Sequence, residues 1–98
     1  MAWKLKWSYR ARNDRKEILE YWIKRNKSNF YSKKLNQLFK ESAQLISNLP
    51  QIGRPSNLEN VRVKIIKDYL MIYEISNKEI IILTIWDTRR NQEKLNNE

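Results

Sequence analysis

Residues 60–73 read NVRVKIIKDYLMIY, and the way this stretch divides between two faces decides the fold. Val61, Val63 and Ile65 alternate with Arg62, Lys64 and Ile66. A period of two is the mark of a strand with one face toward a core. The spacing predicts a strand over 61–67 with the valines and Ile65 inward and the two cations outward, then a second strand over 69–76. The third apolar run, 80–86, is apolar on both faces and is expected in the sheet interior. The junctions KD and SNK are short enough for hairpins, so the three runs form an antiparallel meander.

Upstream, WKLKWSY alternates Trp3, Leu5, Trp7 and Tyr9 with Lys4, Lys6 and Ser8, predicting a strand over 3–9. Ser8 is also suited to cap a helix running to about Arg25, in which Ala11, Ile18, Leu19, Trp22 and Ile23 recur at helical spacing. After NKSN, with Ser28 or Asn29 as the next cap, Tyr31, Leu35, Leu38, Phe39, Ser42, Leu45, Ile46 and Leu49 form a stripe of 3.6 period. Pro50 ends it. Two helices joined by so short a turn form an αα-hairpin. The expected fold is therefore α+β, in the order β-α-α-β-β-β. The helical hairpin covers one face of a mostly antiparallel four-stranded sheet, and Arg62 and Lys64 stand on the other. One domain spans 1–98, with 90–98 a polar, frayed end.

Composition narrows the chemistry. The chain of 98 residues has a formal charge of +9, 41% hydrophobic residues, one Gly and no Cys or His. Nine cations face three anions within residues 1–27 alone. Such a balance favours acidic partners: nucleic acid, the ribosome or an acidic protein. No run is long enough to span a membrane or to serve as a signal peptide, so the cytoplasm is expected, without membrane contact. Lack of His and Cys removes ordinary zinc sites, Cys–His nucleophiles and Ser–His triads. A single Gly leaves no P-loop or dinucleotide fingerprint. No cofactor, metal or small-molecule substrate is expected.

One reaction class survives these exclusions. Metal-independent RNA cleavage needs a base for the 2′-OH, cations for the charged phosphorane and an acid for the leaving oxygen. Arg54, Arg62, Lys64, Tyr73, Arg89 and Arg90 are the candidates, the arginines as charge stabilisers and Lys64 and Tyr73 as acid or base. Spacing alone favours the plainer reading, in which Arg62 and Lys64 are a solvated strand face and Tyr69 and Tyr73 half-buried sheet aromatics. Trp3, Trp7, Trp22 and Trp86 could stack bases, but their apolar settings point to packing. The run RARNDRK could hold phosphates, and is more often the wet face of a helix.

Five segments, in order, carry a family resemblance: WSYRA, EILEYWIKRN, LISNLPQIGRP, NVRVKIIKDYLMIYEI and IIILTIWDTRRNQEKL. Together they resemble the RelE/ParE superfamily of toxins from type II toxin–antitoxin systems. The resemblance implies a growth-inhibiting toxin held inactive by a cognate, acidic antitoxin. RelE-like members enter the ribosome and cleave mRNA with cations and Tyr on the sheet. ParE-like members lack that set and poison DNA gyrase. An Arg expected in the nucleases just before the apolar triplet is here Leu70. Where some nucleases place His and Tyr, this chain has IWDTRRN, whose Asp87 would repel phosphate. Arg62 and Lys64 fit basic positions of the nuclease surface. The balance leans toward ParE, with Arg54, Arg62, Lys64, Arg89 and Arg90 as target- or nucleic-acid-binding residues. The alternatives are an mRNA endoribonuclease using Arg62, Lys64, Tyr73, Arg89 and Arg90, and a non-toxic basic RNA-binding domain.

Overall fold

A computed structural model describes residues 3–89. The chain runs β1 (Lys4–Trp7), α1 (Tyr9–Asn26), α2 (Phe30–Asn48), β2 (Arg54–Pro55), β3 (Val61–Ile66), β4 (Tyr69–Ser76) and β5 (Glu79–Asp87). The sheet has five strands in the order β1-β5-β4-β3-β2. Only β1 and β5 pair in parallel. The four expected strands are thus joined by a two-residue fifth, whose Arg54 pairs with Val63 and Pro55 with Arg62. Proline cannot donate to a ladder, which confines β2 to the edge.

Each helix begins where side-chain chemistry favours it. Ser8 sits just outside α1 and its Oγ accepts from the Ala11 N–H at 2.9 Å, supplying one of the missing partners of the first turn. The same Oγ donates to the Leu83 carbonyl at 2.9 Å, so the cap also ties α1 to β5. Tyr9, expected on the first strand, is instead the first helical residue and is 83% exposed. At the far end Lys27 takes a left-handed conformation, φ 52°, that ends α1. Asn77 and Lys78, both at positive φ, make the tight turn between β4 and β5.

The helices pack on Tyr69, Met71 and Tyr73 of β4 and Ile80, Ile82 and Ile85 of β5, with Leu35, Phe39, Ala43 and Ile46 as the α2 contribution. Phe39 meets the Tyr69 ring edge-on at 5.8 Å. Each large aliphatic or aromatic side chain so buried is worth about 1.5–3 kcal/mol. Between Ile72 and Tyr73 the β4–β5 register slips, because Leu83 is an extra residue on β5. This bulge lets Ile82 and Ile85 both face the helices despite their odd spacing.

Register reverses the expectation for the opening stretch. Arg62 lies opposite Tyr73, Lys64 opposite Met71 and Ile66 opposite Tyr69. Cross-strand partners share a face. Arg62 and Lys64 are therefore on the helix side, while Val61, Val63 and Ile65 turn away with Leu70 and Ile72. The cations are tolerated there because β3 lies near the sheet edge, where their stems can cover apolar surface while their heads stay wet. Among the described residues no helix is long and apolar enough to cross a membrane.

Candidate functional site

The sheet divides the sequence-predicted residues into two groups. At one end of β3 and β4, Arg62 and Tyr73 hold the turn that follows α2. The Tyr73 hydroxyl donates to the Pro50 carbonyl at 2.7 Å and accepts from the Gly53 N–H at 2.9 Å. Arg62 Nη1 donates to the carbonyl of Gly53 at 2.6 Å and to that of Gln51 at 3.3 Å. A Cβ on residue 53 would stand 2.6 Å from Tyr73 Oη and 2.9 Å from the Val63 carbonyl oxygen, so glycine is needed here for space. Its φ is not positive, and conformational freedom is not the reason.

These bonds bear directly on the acid–base role considered for Tyr73. Its ring is fully buried, and burial pushes the phenol above its usual range against the pull of the Gly53 bond and the Arg62 charge. Both lone-pair and proton directions of the hydroxyl are committed to backbone. Arg62 is half-buried and its guanidinium is occupied with two carbonyls. Arg54 is exposed on β2, and Lys64 lines a shallow cleft with Arg54, Gly53, Val63 and Ile65. Of the candidates at this end, Arg54 and Lys64 are the ones left to meet a partner.

Arg89 belongs to the other end. Its level is set by the Tyr69–Asp87 pair, four residues along β3 from the Arg62–Tyr73 pair, or roughly 13 Å at ~3.3 Å per residue. Its guanidinium forks onto Asp87, with Nε 2.9 Å from Oδ1 and Nη2 2.8 Å from Oδ2. The Asp87 bond, ahead of its bare charge, raises the Arg89 pKa. The same guanidinium lies 5.6 Å from the Trp22 ring centre and 6.0 Å from that of Tyr69. Trp22 Nε1 donates to the Tyr69 hydroxyl at 2.8 Å. Burial pushes the Tyr69 phenol up, and the Trp22 bond opposes it. Glu17, Tyr21, Tyr69, Asp87 and Arg89 line a cleft of about 540 Å³ here. Arg90 lies outside the described residues.

Sequence reading missed two features. Asp14, taken as part of a wet helix face, reaches β5 beyond the end of β1. There its Oδ2 accepts from the Ile85 N–H at 3.1 Å and from the Thr84 hydroxyl. It thus supplies the partner that the short edge strand cannot. Its lone position among Arg10, Arg12 and Arg15 was the available signal. The second is an apolar groove of about 470 Å³ between α2 and the sheet, lined by Trp3, Leu49, Pro50, Ile52 and Ile75. Leu49 is 55% and Ile52 42% exposed beside it. No cluster of metal-ligating side chains occurs among the described residues.

The family model for the ParE toxin of the type II toxin-antitoxin system, parDE, matches residues 5–92. The chain belongs to this family. Among solved structures, one described as the chromosomal ParDE TA system from P. aeruginosa is similar to it with a TM-score of 0.77. That match covers 90% of this ParE-family chain and 98% of the other at 23% identity, a likeness of fold. No curated protein matches the sequence.

Proposed function

We propose that this ParE-family chain inhibits growth in the cytoplasm by binding and poisoning DNA gyrase, and that a cognate acidic antitoxin neutralises it. The observation that carries this reading is the commitment of Arg62 and Tyr73 to the backbone of residues 50–53. A metal-free ribonuclease needs a titratable group and a cation free to meet the scissile phosphate together. Tyr73, one of the two acid–base candidates, and Arg62 are scaffold, Arg89 stands at the opposite end of the strands, and of the candidates Lys64 keeps Arg54 alone beside it in an open cleft. Association then does the work, and the surface is equipped for it.

Two surface features support an antitoxin partner. The groove lined by Trp3, Leu49, Pro50, Ile52 and Ile75 offers concave apolar lining of the kind that receives one face of an amphipathic helix. The charge of +9 favours an acidic occupant at its rim. The test is gyrase supercoiling with the purified chain, with and without the antitoxin encoded beside it. Inhibition relieved by the antitoxin is expected. Full supercoiling at saturating toxin would overturn the reading.

A further inference from the structure

The cations of α1 and β1 are arranged differently from those already placed. Arg12, Arg15 and Lys16 lie within the first eight residues of α1, and Lys6 on β1 stands beside Arg12 and Arg15. Lys6, Trp7, Arg12 and Arg15 line one concavity, and Tyr9, Arg12, Asn13 and Lys16 line a second, with Arg12 common to both. The Arg15 guanidinium lies 4.7 Å from the Trp7 ring centre, which fixes it over that wall. Lys6 is held by Glu79 at 3.3 Å and Arg10 reaches Asp14 at 4.0 Å. Among the described residues, Arg12, Arg15 and Lys16 have no carboxylate within ion-pair distance. The first turn of α1 contains no acidic residue either. Like charges gathered on one face raise one another's energy unless an anion lies over them.

We infer that this face, formed by Lys6, Tyr9, Arg12, Asn13, Arg15 and Lys16, is a binding surface for the phosphate backbone of duplex DNA. Three observations favour a duplex phosphate backbone over a protein or a single strand, and duplex RNA is the competitor that separates DNA from RNA. Protein interfaces are anchored by buried apolar and aromatic side chains. Among the exposed large apolar side chains, Phe30, Leu45, Leu49, Ile52, Leu58 and Ile65 lie off α1 and β1, and Tyr21 and Ile23 of α1 stand outside this lining, which leaves Tyr9 as the exposed one within it. An acidic protein would have Tyr9 alone to anchor on here, whereas phosphates need no apolar anchor. Arg, Lys, Asn and Tyr are the side chains that contact phosphate oxygens, and they make up this lining apart from Trp7. Single strands are held by stacking on several open aromatic faces. Here Trp7 is covered by Arg15, leaving Tyr9, at 83% exposure, as the one open ring. The surface therefore fits a duplex, whose bases are already stacked. This inference rests on charge and geometry and stands independently of gyrase as the target.

The test is fluorescence anisotropy of the purified chain with a labelled 20-base-pair DNA duplex, titrated from low to moderate salt. Single-stranded DNA, duplex RNA and poly-aspartate serve as competitors. R12Q/K16Q removes two exposed charges and K33Q/K34Q, on α2, removes two others. Circular dichroism and a thermal melt of each variant establish its fold. Each phosphate contact contributes ~0.9 to the slope of log affinity against log salt. The R12Q/K16Q protein should lose about 1.8 of that slope and bind at least roughly tenfold more weakly at low salt. K33Q/K34Q should match the wild type. Equal losses in the two variants would reduce the effect to net charge and overturn the inference. So would competition by poly-aspartate or duplex RNA as effective as that by duplex DNA. Because no gyrase is present, failure here leaves the supercoiling result untouched, and the reverse holds.

Discussion

Replacing Tyr73 with Phe separates a scaffold from a catalytic group. The substitution removes one oxygen and leaves two backbone groups, the Gly53 N–H and the Pro50 carbonyl, without their partner. The Gly53 bond is fully buried, so its N–H has no water to turn to, whereas the Pro50 carbonyl is partly accessible. An unsatisfied buried group costs about 1–3 kcal/mol and a partly wet one less, giving roughly 2–4 kcal/mol in all. For a domain of this size that is a fall in Tm of about 10–25 °C, or a clear shift of the urea midpoint at constant slope. Gly53→Ala gives an independent check. Its Cβ would meet both the Tyr73 hydroxyl and the rigid Val63 carbonyl. In the double variant the clash with the hydroxyl is gone while that with ring Cε1, at 2.9 Å, remains, so the two costs should add to less than their sum. Urea denaturation of the four proteins measures this cycle. A Tyr73→Phe protein within about 0.5 kcal/mol of wild type would refute the argument, more so if toxicity were lost while stability was kept.

Other consequences follow from the same contacts. Asp14→Ala should cost about 2 kcal/mol, because the Ile85 N–H and Thr84 hydroxyl lose their acceptor; hydrogen exchange at Ile85 would rise above that of its neighbours. Tyr69 and Tyr73 both have raised pKa values in the fold. The folded chain therefore holds protons that the unfolded chain releases, and stability is complete below about pH 10 and falls as pH rises beyond it. Unfolding measured from pH 8 to 11.5 should show that fall, and it should be shallower in Tyr73→Phe; an equal slope in both would exclude Tyr73 as a source. Leu49→Glu should weaken antitoxin binding at least tenfold without changing the melt, as titration calorimetry would show, since Leu49 is 55% exposed at the groove.

Much of the architecture was readable because the hydrophobic period changes cleanly. The switch from 3.6 to two after Pro50 marks the end of the hairpin, and the two-sided apolar run of β5 places it inside the sheet. The orientation of β3 was not readable in the same way. Alternation in VRVKII shows that Val63 and Lys64 point oppositely, but not which of them meets the helices. The neighbouring YLMIY is apolar on both faces and could not break the tie. What decides it is long-range: Tyr69, Met71 and Tyr73 fill the space under α2, and Arg62 follows Tyr73 to the helix side. Gly53, the sole glycine, was the clue in the sequence, for it stands where a tyrosine hydroxyl must approach the backbone. The candidate cations suffered the same ambiguity. Arg62 and Arg89 look alike in sequence to surface charges, yet carbonyl groups and Asp87 respectively hold them in place.

Pulse labelling of DNA and protein synthesis within minutes of inducing the chain without its antitoxin tests the central claim most directly. A toxin that acts on gyrase by binding should halt DNA synthesis first, with translation continuing at its earlier rate. Arrest of translation before any fall in DNA synthesis would contradict it and return Lys64 and the arginines to consideration as a ribosomal active site.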